Sequence, residues 1–450
     1  MRVPLSWLRE YVDVTLDVDE LAERLTLAGL EVGAVERVGA DWARDKIFVA
    51  QVVGVRPHPN ADRLTLVTVD YGQGRQQEMV TGAPNVRVGD QGQKVVFAAE
   101  GARLIDGHAD DGRILTLKPT RIRGVLSAGM VCSEKELGLG TSHEGILILP
   151  DDAPVGTPLA DYLGDTVLDI DLTPNLARCL SIVGVAREVA ALIGQTVRLP
   201  STDWLAEGAP IAGRVEVVIE DPQLCNRYVA ALIQGVSFGP SPYVMQRRLL
   251  LAGMRPINAV VDVTNYVMLE WGQPLHAFDY RRLRNRQGQT IDEAGPDGEP
   301  PAITVRRARS SETMVTLDGV HRALTPDMLV IADGVGPVAI AGVMGGLETE
   351  VTDQTTDILL ESANFDFINN RRTAQALRLP SEASYRFGRG IPASLGWPAA
   401  HRAAELMRRL AGGVIADGVV DAYPVPQRKV AVEITQAEVQ RILGVPLSVA

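Results

Sequence analysis

Cysteine is scarce: Cys132, Cys179 and Cys225 are the only three in 450 residues. Odd in number, far apart and without CxxC or Cys/His spacing, they exclude a disulfide framework and a recognisable zinc site and fit a reducing compartment. Basic charge is short as well, with 44 Lys and Arg against 56 Asp and Glu and a net charge of −12. That balance excludes a protein held to nucleic acid by bulk charge and leaves only local patches for such contact. No apolar run approaches the roughly 18 residues of a membrane helix. The opening MRVPLSWLREYVDV has no apolar core of the secretory kind. The expectation is a soluble, cytoplasmic chain with no membrane partner. A P-loop and a GxSxG elbow are both missing, and no metal-ligand cluster can be read in this chain.

What is present describes an ordinary globular protein, 46% hydrophobic and 22% charged, long enough for roughly three domains. Residues 1–38 read as two short helices and a strand. Leu5, Leu8 and Val12 share one helical face, and Val18, Leu21, Leu25 and Ala28 share another. From 39 to 152 short strands alternate with Gly and Pro (46–55, 63–72, 93–102, 113–124, 144–150), which predicts a small Greek-key barrel of the OB-fold type. Residues 153–200 return to a strand and a helix over 181–193. The simplest arrangement is a scaffold domain of 1–38 with 153–200, into which the barrel is inserted. Residues 205–412 predict a larger α/β domain, with 285–301 as an exposed, mobile Gly/Pro loop. In 425–450 an alternating strand (430–434) precedes a helix opened by Thr435 and Glu438. One strand and one helix cannot bury a core, so the expectation is the front part of a longer protein.

Candidate site residues concentrate in 337–390. An apolar strand (338–343) runs into a turn with Gly342, Gly345 and Gly346, where backbone can approach a ligand. A second strand (358–360) is expected to end at Glu361. A basic helix (368–379) precedes Ser381-Glu382-Ala383-Ser384, and upstream a Pro-bounded loop carries His276. In the barrel, His58-Pro59-Asn60-Ala61-Asp62-Arg63-Leu64 is followed by Thr81-Gly82-Ala83-Pro84-Asn85 and Gly129-Met130-Val131-Cys132-Ser133. Between residues 41 and 152 there are 13 Lys and Arg against 15 Asp and Glu. Chemistry alone therefore leaves the barrel either structural or weakly RNA-binding.

Together these phrases resemble one family across essentially the whole chain. LAGLEV (27–32), HPNADRL, GMVCSEKELG, GVAREVAAL, VVDVTNYVMLE, GQPLHAFD, AGVMGG, LLESANF and SEASYRF look like the β subunit of bacterial phenylalanyl-tRNA synthetase. The barrel phrases resemble the tRNA-binding module of several synthetases, with His58, Asn60, Asp62 and Arg63 as its motif-level RNA residues. The resemblance implies an editing (B3/B4-type) domain at 205–412, which hydrolyses tyrosine wrongly attached to phenylalanine tRNA. It implies partners, tRNA(Phe) and an α subunit in a heterotetramer of two α and two β chains. ATP and Mg2+ would serve charging by the α subunit, with no metal site in this chain and neither group bound to this fragment. Residues 425–450 would begin a truncated DNA-binding-like domain.

Editing makes physical sense, because a site shaped for phenylalanine rejects an added hydroxyl only about a hundredfold. A second site with a polar group for the phenol can prefer tyrosine, since phenylalanine leaves that group unpaired. On the resemblance, Glu361 accepts the phenol hydroxyl, and Gly342 and Gly345 admit the amino acid close to backbone. His276 positions the tRNA end or the attacking water, while Ser381 and Ala383 shape the pocket. His276, Glu361 and Ser381 are thus the catalytic assignments, with a positioned water in place of a covalent nucleophile. The chain departs from the family pattern at Leu176, Arg178, Pro380, Ser381, Gly388 and Ile391. A non-catalytic scaffold with a decayed pocket therefore stays open, as does an independent editing or RNA-binding protein.

Overall fold

The computed structural model describes residues 1–427 and 430–448. It forms two compact units, neither contiguous in sequence. One comprises Met1–Trp204, Val236–Gln273 and Glu405–Gly413; the other comprises Leu205–Gly235, Pro274–Ala404 and the chain from Val414 onward. Helices and several separate sheets make this a multidomain α+β protein, as the sequence predicts. Among the described residues no helix is long and apolar enough to cross a membrane.

In the first unit, strand Asp165–Asp171 lies between Arg2–Pro4 and Glu31–Val38 in an antiparallel sheet. Helix Val18–Leu27 starts at Asp17, whose carboxylate accepts the N–H groups of Asp19 and Glu20. Helix Ile182–Ile193 starts at Ser181 and stops at left-handed Gly194. Helix Ala259–Trp271 belongs with these elements. The Tyr11 hydroxyl donates to buried Glu270 at 2.6 Å, and Trp7 stacks on Tyr266 with ring centroids 4.5 Å apart.

The expected barrel strands form a six-stranded antiparallel sheet. Its order is Gly129–Val131, Lys94–Ala99, Ile47–His58, Ala61–Asp70, Gln76–Thr81, and Ile148–Leu149 also pairs with Lys94–Ala99. Successive side chains of a strand point to opposite faces, so Ile47 and Val49 enter one core while Phe48, Ala50 and Val52 enter another. Both faces are buried, which explains why the strand reads as a nearly continuous apolar run. The single strand expected at 113–124 splits into Ile114–Thr116 and Thr120–Ile122 around Pro119, which has no N–H for a ladder. Thr120–Ile122 pairs with Val125–Ser127 as an isolated hairpin. Among the described residues no ladder joins Gln76–Thr81 to Gly129–Val131.

Among its described residues the second unit has two large sheets and a small hairpin, Thr313–Val315 with His321–Ala323. The first runs Ala206–Pro210, Gly412–Asp417, Cys225–Val236, Asp357–Phe365, His276–Asp279, with Val420–Ala422 also on Cys225–Val236. The second runs Glu216–Ile219, Ala302–Arg307, Leu329–Ala332, Pro337–Ile340, Met344–Gly345. One core including Tyr228, Phe278, Ile303, Ile331, Leu359 and Phe387 joins strands of both.

Three expectations need correction. Strand Asp357–Phe365 continues past Glu361 and is buried along its whole length, so Glu361 sits mid-strand and not at a strand end. The 285–301 stretch is mostly exposed or half-buried, as expected, yet folded: buried Asn285 accepts the N–H groups of Gln287 and Gln289, and Thr290 caps a one-turn helix, Ile291–Ala294. Residues 430–434 form no strand, because their alternation meets no partner among the described residues. Helix Gln436–Leu443 does form, opened by the Thr435 hydroxyl, which accepts the Glu438 N–H. Residues 428–429, 449 and 450 of the 425–450 expectation lie outside the described residues.

Candidate functional site

The site lies in the second unit, where register does the positioning. Strand Asp357–Phe365 runs antiparallel between two neighbours, so Glu361 stands opposite Ala230 on one side and His276 on the other. Residues directly opposite in such a pair share a face, with Cβ atoms about 4.5–5.5 Å apart. Glu361 and His276 therefore meet although 85 positions separate them. Tyr228, two residues before Ala230, lies on that face too and donates its hydroxyl to Glu361 Oε2 at 3.0 Å.

A glycine turn forms the opposite wall. Gly342 has φ +67°, and a Cβ there would lie 2.5 Å from Asn370 Nδ2 and 2.8 Å from Phe387. At Gly345 a Cβ would lie 2.4 Å from His276 Cε1, so only glycine lets the turn close against the imidazole. Helix Glu382–Phe387 adds Ala383 and Phe387. These residues enclose a cavity of about 70 Å3.

Burial sets the protonation states. Glu361 is 6% exposed, and desolvation pushes its carboxyl up to about 8, with the Tyr228 hydrogen bond working the other way. His276 is half-buried as a residue, yet its Nε2 is covered and has no hydrogen-bond partner. Burial pushes the imidazole down to about 4. The Tyr228 phenol is pushed well above its ordinary value, by burial first and Glu361 second. Near neutral pH the site holds a neutral imidazole, a phenol that stays protonated and a carboxyl close to titrating.

Five residues expected at the site, His276, Gly342, Gly345, Glu361 and Ala383, line this cavity together. Ser381 does not. Its hydroxyl accepts the Ser384 N–H at 3.0 Å and donates to Val343 O at 2.9 Å, capping one helix and tying it to the glycine turn. Tyr228 went unread in the sequence, where it is one apolar-flanked aromatic in a strand.

The HPNADRL phrase has a different geometry. His58 is buried, its Nε2 faces Ile122 O at 3.2 Å and its Nδ1 accepts the Asn60 N–H. Asn60 donates to Arg123 O at 2.9 Å. Both side chains thus anchor the Thr120–Ser127 hairpin, His58 from within and Asn60 from the exposed surface. Asp62 and Arg63 are exposed, as are Lys118, Arg121 and Arg123 on and beside the hairpin. A larger cleft of about 890 Å3 in the first unit includes Asn85, Glu134, Glu144, Asp152 and Tyr243. Its acidic lining disfavours a phosphate backbone. Among the described residues no group of three or more His, Cys, Asp or Glu could hold a metal ion.

Two family models match the chain: the B3/4 domain over residues 224–412 and the tRNA binding domain over residues 47–158. Phenylalanine–tRNA ligase β subunits are close relatives. The one from Dehalococcoides mccartyi is 48% identical over 99% of this chain and 52% of its own length. That from Moorella thermoacetica is 49% identical over 100% of this chain and 53% of its own length. That from Geobacter sulfurreducens is 46% identical with the same coverages, 100% and 53%. The chain spans about half the length of the curated relatives it matches, and over that span it belongs to the phenylalanine–tRNA ligase β-subunit family.

Proposed function

We propose that this chain serves within a phenylalanine–tRNA ligase β subunit and that its cavity hydrolyses tyrosine mis-attached to tRNA(Phe). The observation carrying this reading is the buried pairing of His276 with Glu361 beneath a glycine turn, inside the B3/4 match. A desolvated carboxyl that accepts a phenol hydroxyl gains a hydrogen bond with tyrosine and is left unpaired by phenylalanine. His276, neutral and with Nε2 unpartnered, can accept a hydrogen bond from a water and hold it near the ester. Water adds to the aminoacyl carbonyl, the bond to the ribose oxygen breaks, and tyrosine and free tRNA leave. Ser381, engaged in capping, takes no covalent part.

Charging with ATP and Mg2+ is assigned to the α subunit of the assembled enzyme, and no hydrolytic step here needs either. The domains at 1–38 with 153–200, 39–152 and 205–412 would act as scaffold, RNA-facing module and editing domain. The exposed cations on and beside the Thr120–Ser127 hairpin are the RNA-facing candidates, with buried His58 and exposed Asn60 holding the hairpin through its backbone.

One observation favours the non-catalytic scaffold instead. The cavity of about 70 Å3 is smaller than the roughly 150 Å3 that accepts benzene in an engineered core, so a phenol must widen it. Deacylation of Tyr-tRNA(Phe) and Phe-tRNA(Phe) decides, first with this chain and then with α subunit and full-length β subunit. Wild type should release tyrosine and spare phenylalanine; Glu361→Ala should lose the preference, and His276→Ala should slow release at least tenfold. Silence in both settings leaves the scaffold.

A further inference from the structure

Glu361 does not stand alone at the base of the cavity. Tyr228 reaches it from the neighbouring strand, 133 positions earlier, and its hydroxyl donates to Oε2 at 3.0 Å. Tyr228 is completely buried, and among the described residues Glu361 is the one hydrogen-bond partner of its hydroxyl. Burial keeps the phenol protonated, and toward an ionised Glu361, which has no proton to give, it is the donor. It therefore fixes the carboxyl rotamer and engages one oxygen, leaving the other for a ligand. We propose that Tyr228 is a positioning residue for selectivity: by holding Glu361 Oε2 it presents the second carboxyl oxygen, ionised, to the hydroxyl of a bound phenol. This rests on the editing reading given above.

The titratable groups around Glu361 are few. His276 from the adjacent strand is neutral above about pH 4. Cys225, on the Tyr228 strand, is held far up by burial and by Glu361 itself. The glycine turn and the Glu382–Phe387 helix contribute Gly342, Val343, Met344, Gly345, Ala383 and Phe387 to the cavity, none of which titrates. Tyr228 is thus the one neighbour that stabilises the carboxylate against desolvation. A hydrogen bond to a charged group changes the proton affinity of that group by about one pH unit.

The test is Tyr228→Phe, which keeps the ring and deletes the donor. In wild type the preference for Tyr-tRNA(Phe) over Phe-tRNA(Phe) should rise with pH around a midpoint near 8. In Tyr228→Phe the midpoint should move up by about one unit, with roughly tenfold less preference at pH 7 and recovery at higher pH. Rates are corrected for uncatalysed ester loss. In a Glu361→Gln background Tyr228→Phe should have no further effect on preference, because the two residues act as one unit. A residue that merely fills the core would lower stability without moving the midpoint. NMR titration of the Glu361 carboxyl, in chain labelled with 13C-glutamate, gives a readout independent of activity. If wild type hydrolyses nothing, both as this chain and with α subunit and full-length β subunit, the editing reading falls, and the carboxyl titration still decides whether Tyr228 holds Glu361. An unmoved carboxyl midpoint in a folded Tyr228→Phe chain overturns the proposal.

Discussion

Glu361 and His276 face each other across a strand pair with their proton affinities displaced in opposite senses. Each displacement is also a pH dependence of folding. His276 is lowered from 6.5 to about 4, so between those values the unfolded chain binds the extra proton and stability rises with pH. Glu361 is raised from 4.5 to about 8. Between those values the folded chain holds the extra proton, and stability falls as pH rises. Glu361→Gln removes the second slope. The stability of wild type relative to this variant should therefore decline between pH 4.5 and 8, by a few kcal/mol across the window. Urea melts of both proteins at several pH values measure it, and a constant difference would contradict the burial argument. The same pair shows what was legible. Glu361 and His276 could be picked out because each is a polar residue bounded by apolar or Pro-containing sequence. Tyr228 could not, because an aromatic in an apolar strand reads as core until its partner strand is known, and strand pairing is not written locally.

At the scale of elements, the glycine turn is the most constrained piece of the site. Gly345→Ala would place a methyl carbon 2.4 Å from the His276 ring, which must swing or be pushed from the strand. Gly342→Ala combines a left-handed backbone with contacts at 2.5 and 2.8 Å to Asn370 and Phe387. We expect Gly345→Ala to abolish deacylation with a modest loss of stability. Gly342→Ala should destabilise the second unit by about 1–3 kcal/mol. Thermal melts beside deacylation rates separate the two, and a fully active Gly345→Ala protein would contradict the assigned wall. The turn itself was legible, since strand-then-glycines is a local pattern. Ser381 was legible as a hydroxyl and misjudged in place, because a cap and a pocket wall draw on the same residue types. The HPNADRL loop shows the converse: a phrase that reads as a binding motif spends its His and Asn on holding a neighbouring hairpin.

At the scale of the molecule, the chain crosses between its two compact units several times. Helix Ala259–Trp271 lies inside the 205–412 span yet meets Trp7 and Tyr11 through Tyr266 and Glu270. A fragment of 205–412 alone would strip that helix of these partners, and a fragment of 1–204 would lose it. Each fragment should aggregate or melt well below the full chain, and co-expression of both should restore a cooperative melt. An isolated 205–412 fragment that melts like the full chain would refute this. The split near residue 204 was legible as a change of texture; the return visits were not, because long-range packing leaves no periodic mark. The same threading has a consequence for birth on the ribosome. The first unit is complete only once Glu405–Gly413 have been made. At about 5–20 residues per second its first half must wait roughly ten to forty seconds after Trp204 emerges. During that interval apolar surface destined for the core is open to chaperones, and co-translational folding has to proceed around a missing piece.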